Sequence, residues 1–150
     1  LYAACGTDFE LSLDVADPGA APAAVAVARR AGGAASRRLW LCSGELDRLR
    51  EWRSLGDDVR LVDVTRIRRL KGGPERRAAD LAAAGIDAVS LHHSDWTLGL
   101  TTLFHRFERL CVATDAQFER ILTAVLEMGV DAVASDHVDR MVDALTTASH

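Results

Sequence analysis

The sequence predicts an α/β fold, a partial TIM (β/α)8 barrel of about six βα units. Three observations point there. Short β-rich runs alternate with Ala/Leu/Arg stretches of helical spacing. One βα junction is repeated, Ala84-Gly85-Ile86-Asp87-Ala88-Val89 recurring as Met128-Gly129-Val130-Asp131-Ala132-Val133. The strand runs alternate large apolar residues with small or polar ones. Six units over 150 residues give about 25 residues each, whereas eight units need roughly 200 or more. Six strands would also complete an open doubly wound sheet, so a truncated barrel and that sheet are both compatible with the pattern.

In chain order the expected strands are Phe9–Val15, Arg38–Cys42, Val59–Thr65, Asp87–Leu91, Leu110–Ala113 and Asp131–Ser135. The expected helices fall near 20–31, 45–53, 74–84, 97–107, 116–128 and 138–146. Pro74 with Glu75 suits a first helical turn, Asp115 suits an N-cap, and Gly85 and Gly129 suit C-terminal caps. In the first, fourth and last strands the apolar set faces the helices. The other parity sends Asp14, His92 and Asp136 toward a barrel interior near the C-terminal strand ends, where this architecture builds its sites.

Composition narrows the function classes. There are 22 acidic and 18 basic side chains, a net charge of −4, with 49% hydrophobic but only 5% aromatic residues. The apolar content is small, with 25 alanines, and the basic content is 17 arginines beside the single Lys71. This describes a globular domain, with no apolar run fit for membrane insertion and no basic footprint for nucleic acid. Cys5, Cys42 and Cys111 lie in no metal-binding spacing and are expected as reduced, buried thiols. The first residue is Leu1, and Leu1–Gly6 shows neither a charged leader nor a cleavage pattern. The natural N-terminus is expected to lie upstream, and the location to be cytoplasmic.

No serine sits in a nucleophile elbow and no GxGxxG follows a strand, which disfavours a serine hydrolase or a dinucleotide enzyme. Asp14, a carboxylate within the first β-rich run, could serve a hard divalent cation or act as a structural acceptor. His92, His93 and Asp95 are the densest group of metal-ligand types. Consecutive histidines on an extended segment point apart, so they share a metal only if the chain turns between them. His105 and His150 are expected to be structural or solvated. Arg66, Arg68, Arg69 and Lys71 form either a solvated face or an anion site.

Two motifs resemble the glycerophosphodiester phosphodiesterase family. Leu11-Ser12-Leu13-Asp14-Val15 is similar to its strand carrying a metal-binding acid, and Gly129-Val130-Asp131-Ala132-Val133-Ala134-Ser135-Asp136 to its closing Gly-x-Asp-Gly-x-x-Thr-Asp-x-Pro. Ala113-Thr114-Asp115 lies near its Trp-Thr-Val-Asn strand. The resemblance implies that residues 1–150 are the C-terminal portion of a TIM-barrel domain whose N-terminal units precede them. It implies metal-dependent hydrolysis of glycerophosphodiesters to glycerol 3-phosphate and an alcohol, with Asp14 as one ligand of Mg²⁺ or Ca²⁺. Substrate is then expected at Arg66, Lys71, His92, Thr114 and Asp136. The family's catalytic histidine motifs precede the matched region, so the chain alone is expected to be inactive. Departures are Asp14 for Glu, Ala16 for Lys, Thr114 for Trp and Val138 for Pro.

The runner-up is a non-catalytic barrel binding an anionic metabolite or a protein partner. A third reading is a different metal hydrolase using His92, His93 and Asp136.

Overall fold

The two sequence periods become six short strands and seven α-helices in the computed structural model, which describes residues 1–148. His150, expected to be structural or solvated, lies outside the described residues. The chain divides into two compact units: Leu1–Val64 with Ala83–Asp87, and Thr65–Ala82 with the residues from Ala88 onward.

The first unit holds strands β1 (Leu11–Asp14), β2 (Leu39–Ser43) and β3 (Arg60–Val64). They pair in parallel in chain order, with Leu11 opposite Leu39 and Leu41 opposite Leu61. Its helices are α1 (Tyr2–Cys5), α2 (Ala20–Ala31) and α3 (Leu46–Trp52). Leu39, Leu41, Leu49 and Leu61 are fully buried, each such side chain contributing about 1.5–3 kcal/mol. Ala21, Val25 and Ala28 are the buried residues of α2. Arg53 ties this unit's loops together: Nη1 donates to Gly85 O at 2.9 Å and Asp87 Oδ2 at 3.2 Å. Its Nη2 donates to Gly56 O and Val59 O, each at 2.6 Å.

In the second unit β4 (Ala88–His92), β5 (Leu110–Thr114) and β6 (Ala132–Val133) are again parallel neighbours in chain order. Helix α4 (Gly73–Ala83) precedes them, and α5 (Leu98–Arg106), α6 (Glu119–Glu127) and α7 (Val138–Ala148) follow. β4 is buried from Ala88 to Leu91. Trp96 packs edge-on against Phe104 at 6.1 Å between centroids, and its indole N–H donates to Val112 O at 3.0 Å. That bond satisfies the one polar atom of a buried indole. Ala116, Leu122 and Ala144 form a further cluster, with Ile121, Val133 and Met141 against it.

The repeated junction has a structural meaning. Gly85 and Gly129, at φ 67° and 80°, close helices in the left-handed conformation that lacks a Cβ penalty only for glycine. The aspartate two residues on clamps a neighbouring strand twice. Asp87 N donates to Leu61 O at 3.0 Å while its Oδ2 accepts from Leu61 N at 2.8 Å. Asp131 N donates to Cys111 O at 2.8 Å while its Oδ2 accepts from Cys111 N at 2.7 Å.

Several expectations need correction. β6 is only Ala132–Val133 rather than the expected Asp131–Ser135, so Asp136 lies in the loop beyond it rather than at the strand end. Asp115 does not cap α6, whose N-cap is Phe118 and lacks a side-chain cap bond. The carboxylate is drawn instead to β4, as described below. Cys42 and Cys111 are buried free thiols, but Cys5 is exposed. Among the described residues no helix is long and apolar enough to cross a membrane.

Candidate functional site

The second unit gathers polar side chains where β4 and β5 end. His92 and Thr114 close these strands and stand opposite one another in the ladder. Past His92 the chain tightens into a 3₁₀ turn, His93–Asp95, held by the His92 ring: Nδ1 accepts from Ser94 N at 3.2 Å and lies 2.8 Å from Ser94 Oγ. The turn brings His93 back beside His92, with ring centroids 4.2 Å apart. This is the turn that an extended segment lacks, and it places consecutive histidines together.

Past Thr114 the backbone enters the left-handed region at Asp115, φ 60°, which aspartate tolerates better than most residues. Asp115 Oδ2 thereby lies 3.0 Å from His92 Nε2. Gln117 Nε2 donates to Asp115 Oδ1 at 3.1 Å and to Asp136 Oδ2 at 2.9 Å. Its Oε1 accepts from Asp136 N at 3.1 Å and Ser135 Oγ at 3.2 Å. His92, Asp115, Gln117 and Asp136 are thus one hydrogen-bonded chain. Thr114 turns its hydroxyl inward, donating to Leu91 O at 3.2 Å.

Charge is organised around these contacts. Gln117, and then His92, hold the Asp115 carboxyl below its usual range. Burial, and then the neighbouring His92, lower the His93 imidazole. Arg66 donates through Nε and Nη2 to Asp95 at 2.7 and 3.3 Å, and Ile67 N adds a bond at 3.2 Å. The guanidinium leads the causes that hold Asp95 low. One edge of the Arg66 fork is therefore committed, and Lys71 is exposed. Two imidazoles and two carboxylates make the strand-end cluster a better match for a cation than for a bare anion.

Asp14 ends β1 in the first unit, exposed and opposite Cys42 in the ladder. Beside it Ser12 Oγ lies 3.3 Å from Cys42 Sγ. Among the described residues, groups of three potential metal ligands are His92, His93, Asp115 and His105, Cys111, Asp131; Asp14 belongs to neither.

The chain matches no family model and no curated protein. Solved structures do match it. An assigned glycerophosphoryl diester phosphodiesterase of Silicibacter pomeroyi aligns with a TM-score of 0.76 at 19% identity, covering 93% of this chain and 51% of that one. The fold is that of the glycerophosphodiester phosphodiesterases. An Oleispira antarctica phosphodiesterase in complex with the product sn-glycerol-3-phosphate aligns at 0.71 and 15%, covering 91% of this chain and 55% of that one. An aldolase, QR15, aligns at 0.63 and 11%, covering 97% and 76%, so the scaffold also carries other chemistry. The chain spans about half the length of the phosphodiesterases it matches. The match decides for the partial TIM barrel over the doubly wound sheet.

Sequence reasoning named His92, Thr114 and Asp136 as substrate residues and expected Asp115 as a helix cap. It missed Gln117, which links them, because a lone glutamine carries no motif.

Proposed function

We propose that these residues belong to a metal-dependent hydrolase of glycerophosphodiesters, releasing glycerol 3-phosphate and an alcohol, and that the 150-residue chain alone is inactive. The observation that supports this most is the hydrogen-bonded cluster His92, Asp115, Gln117 and Asp136, on the loops that follow three parallel strands. TIM-barrel enzymes build their sites from those loops. In this reading the substrate is a small phosphodiester of lipid metabolism and the location is cytoplasmic.

A hard cation, Mg²⁺ or Ca²⁺, would polarise the phosphoryl oxygen. Asp14 has the right donor chemistry for it but joins no group of three ligands among the described residues. Such a cation takes six or more oxygens, so this chain's residues do not complete the site. What the chain supplies is recognition. Asp136 and His92 present hydrogen-bonding groups, Thr114 shapes the strand end, and Arg66 and Lys71 bring positive charge to the phosphate. The resemblance implies that the acid/base histidines precede the matched region, which is the ground for proposing that the chain alone is inactive.

The test is hydrolysis of glycerophosphocholine with Mg²⁺ or Ca²⁺ by the complete gene product, by its Asp14→Ala variant and by the 150-residue chain. Turnover is expected from the first, with at least a 100-fold loss in the second and none in the third. Tight binding of glycerol 3-phosphate without turnover by the complete protein would favour the non-catalytic reading. Activity in the short chain would overturn its proposed inactivity.

A further inference from the structure

We infer that His92, His93 and Asp115 form a binding site for a divalent transition metal of the Zn²⁺ or Co²⁺ type. The inference does not depend on the phosphodiesterase reading. All three ligands lie in the second unit, none is Asp14, and the donor set differs from the oxygen shell that Mg²⁺ or Ca²⁺ requires.

Geometry comes first. One ligand atom from each residue lies within 4.8 Å of the other two, and His92 Nε2 to Asp115 Oδ2 is 3.0 Å. In a tetrahedral site with metal–ligand bonds near 2.0–2.1 Å, ligands stand about 3.3 Å apart. The His92–Asp115 edge already has that spacing. The remaining edges need close by at most about 1.5 Å, within reach of side-chain torsions.

The donor chemistry agrees. Two imidazoles and one carboxylate suit zinc and its neighbours, and three protein ligands leave a fourth position for water, on a side where the Asp115 side chain is 59% exposed. The supporting contacts are those that orient ligands in metal sites. Gln117 holds Asp115 through Oδ1, leaving Oδ2 toward His92. Ser94 Oγ, 2.8 Å from His92 Nδ1, can accept a hydrogen bond from a protonated Nδ1. Both the 3₁₀ turn after His92 and the left-handed backbone at Asp115 serve to bring these side chains together.

The metal also changes the His92 tautomer. Without it, Ser94 N donates to Nδ1, so neutral His92 carries its proton on Nε2, toward Asp115. A metal at Nε2 would require that proton to move to Nδ1, which would then donate to Ser94 Oγ while Ser94 N gives up its bond to Nδ1.

The test titrates the untagged chain with Co²⁺, read by visible absorption, with Zn²⁺ as competitor. One equivalent is expected at this site, weakened at least 10-fold in each of His92→Ala, His93→Ala and Asp115→Asn and unchanged in His105→Ala, which alters the other candidate group. Imidazole ¹⁵N spectra of the unmodified chain should show Zn²⁺ moving the His92 proton from Nε2 to Nδ1 and perturbing His93. Absence of binding overturns the inference, as does undiminished binding in His93→Ala or an equal loss in His105→Ala. If a variant fails to fold, unchanged His92 and His93 spectra in the unmodified chain overturn it alone.

Discussion

His92 Nε2 stands 3.0 Å from Asp115 Oδ2 across the ends of two paired strands, though the residues are 23 apart in sequence. The pairing depends on both backbones leaving their strands early, His92 into a 3₁₀ turn and Asp115 into the left-handed region. It is second to Gln117 among the contacts that hold the Asp115 carboxyl low.

Gln117→Ala should raise the Asp115 carboxyl toward the ordinary carboxylate range, since the Gln117 amide is the leading cause of its depression. Side-chain carboxyl ¹³C shifts followed through acid pH measure this directly. An unmoved midpoint would mean that His92 alone sets the charge of Asp115.

His93 should titrate below the usual histidine value of about 6.5. Burial is the first cause and His92 the second, so His92→Gln should raise the His93 midpoint. The sign for stability follows from linkage. The unfolded chain protonates first as pH falls, so the His93 contribution is present above the unfolded pKa and lost as pH drops toward the folded one. Urea midpoints between pH 7 and 5 should fall less steeply in His93→Gln.

The thiols should separate by reactivity. Burial, and then Asp131, push the Cys111 thiol up to about 12, which leaves about one thiolate in 10⁴ at pH 8. Cys42 is buried and raised as well, while Cys5 is exposed. Alkylation of the native chain should show one fast thiol that Cys5→Ser removes, and denaturant should release the other two.

Asp87→Ala should destabilise the fold by about 1–3 kcal/mol, the cost of leaving partly buried donors unpaired. Its carboxylate accepts from Leu61 N, Arg53 and Arg60. Asp47→Ala, at an exposed surface pair, should stay within about 0.5 kcal/mol. Urea denaturation of both variants checks the difference.

The elements were legible because their periods are local properties. Alternation in Leu11–Asp14 and the apolar runs around Leu41, Leu61 and Val89 foretold strands, and the Gly85 and Gly129 junctions foretold where helices close. The site was legible only in part. That Asp115 would reach His92 instead of capping α6 depends on a backbone torsion set by the tertiary fold. That His93 would fold back on His92 depends on a bond from Ser94 N. Asp136 was expected at the end of a longer strand. The chain leaves β6 after Val133, and Gln117 receives the loop that follows.

The Asp131 clamp lies at the opposite end of β5 from the histidine cluster. Asp87 fixes Leu61 and Asp131 fixes Cys111 at the N-terminal side of their strands, so the alignment of each strand is decided before the chain reaches its far loop. Residues in those far loops can then be exchanged without shifting a strand by one position and inverting its faces. In this chain, the residues that fix strand alignment are thus separate from those that form the strand-end cluster.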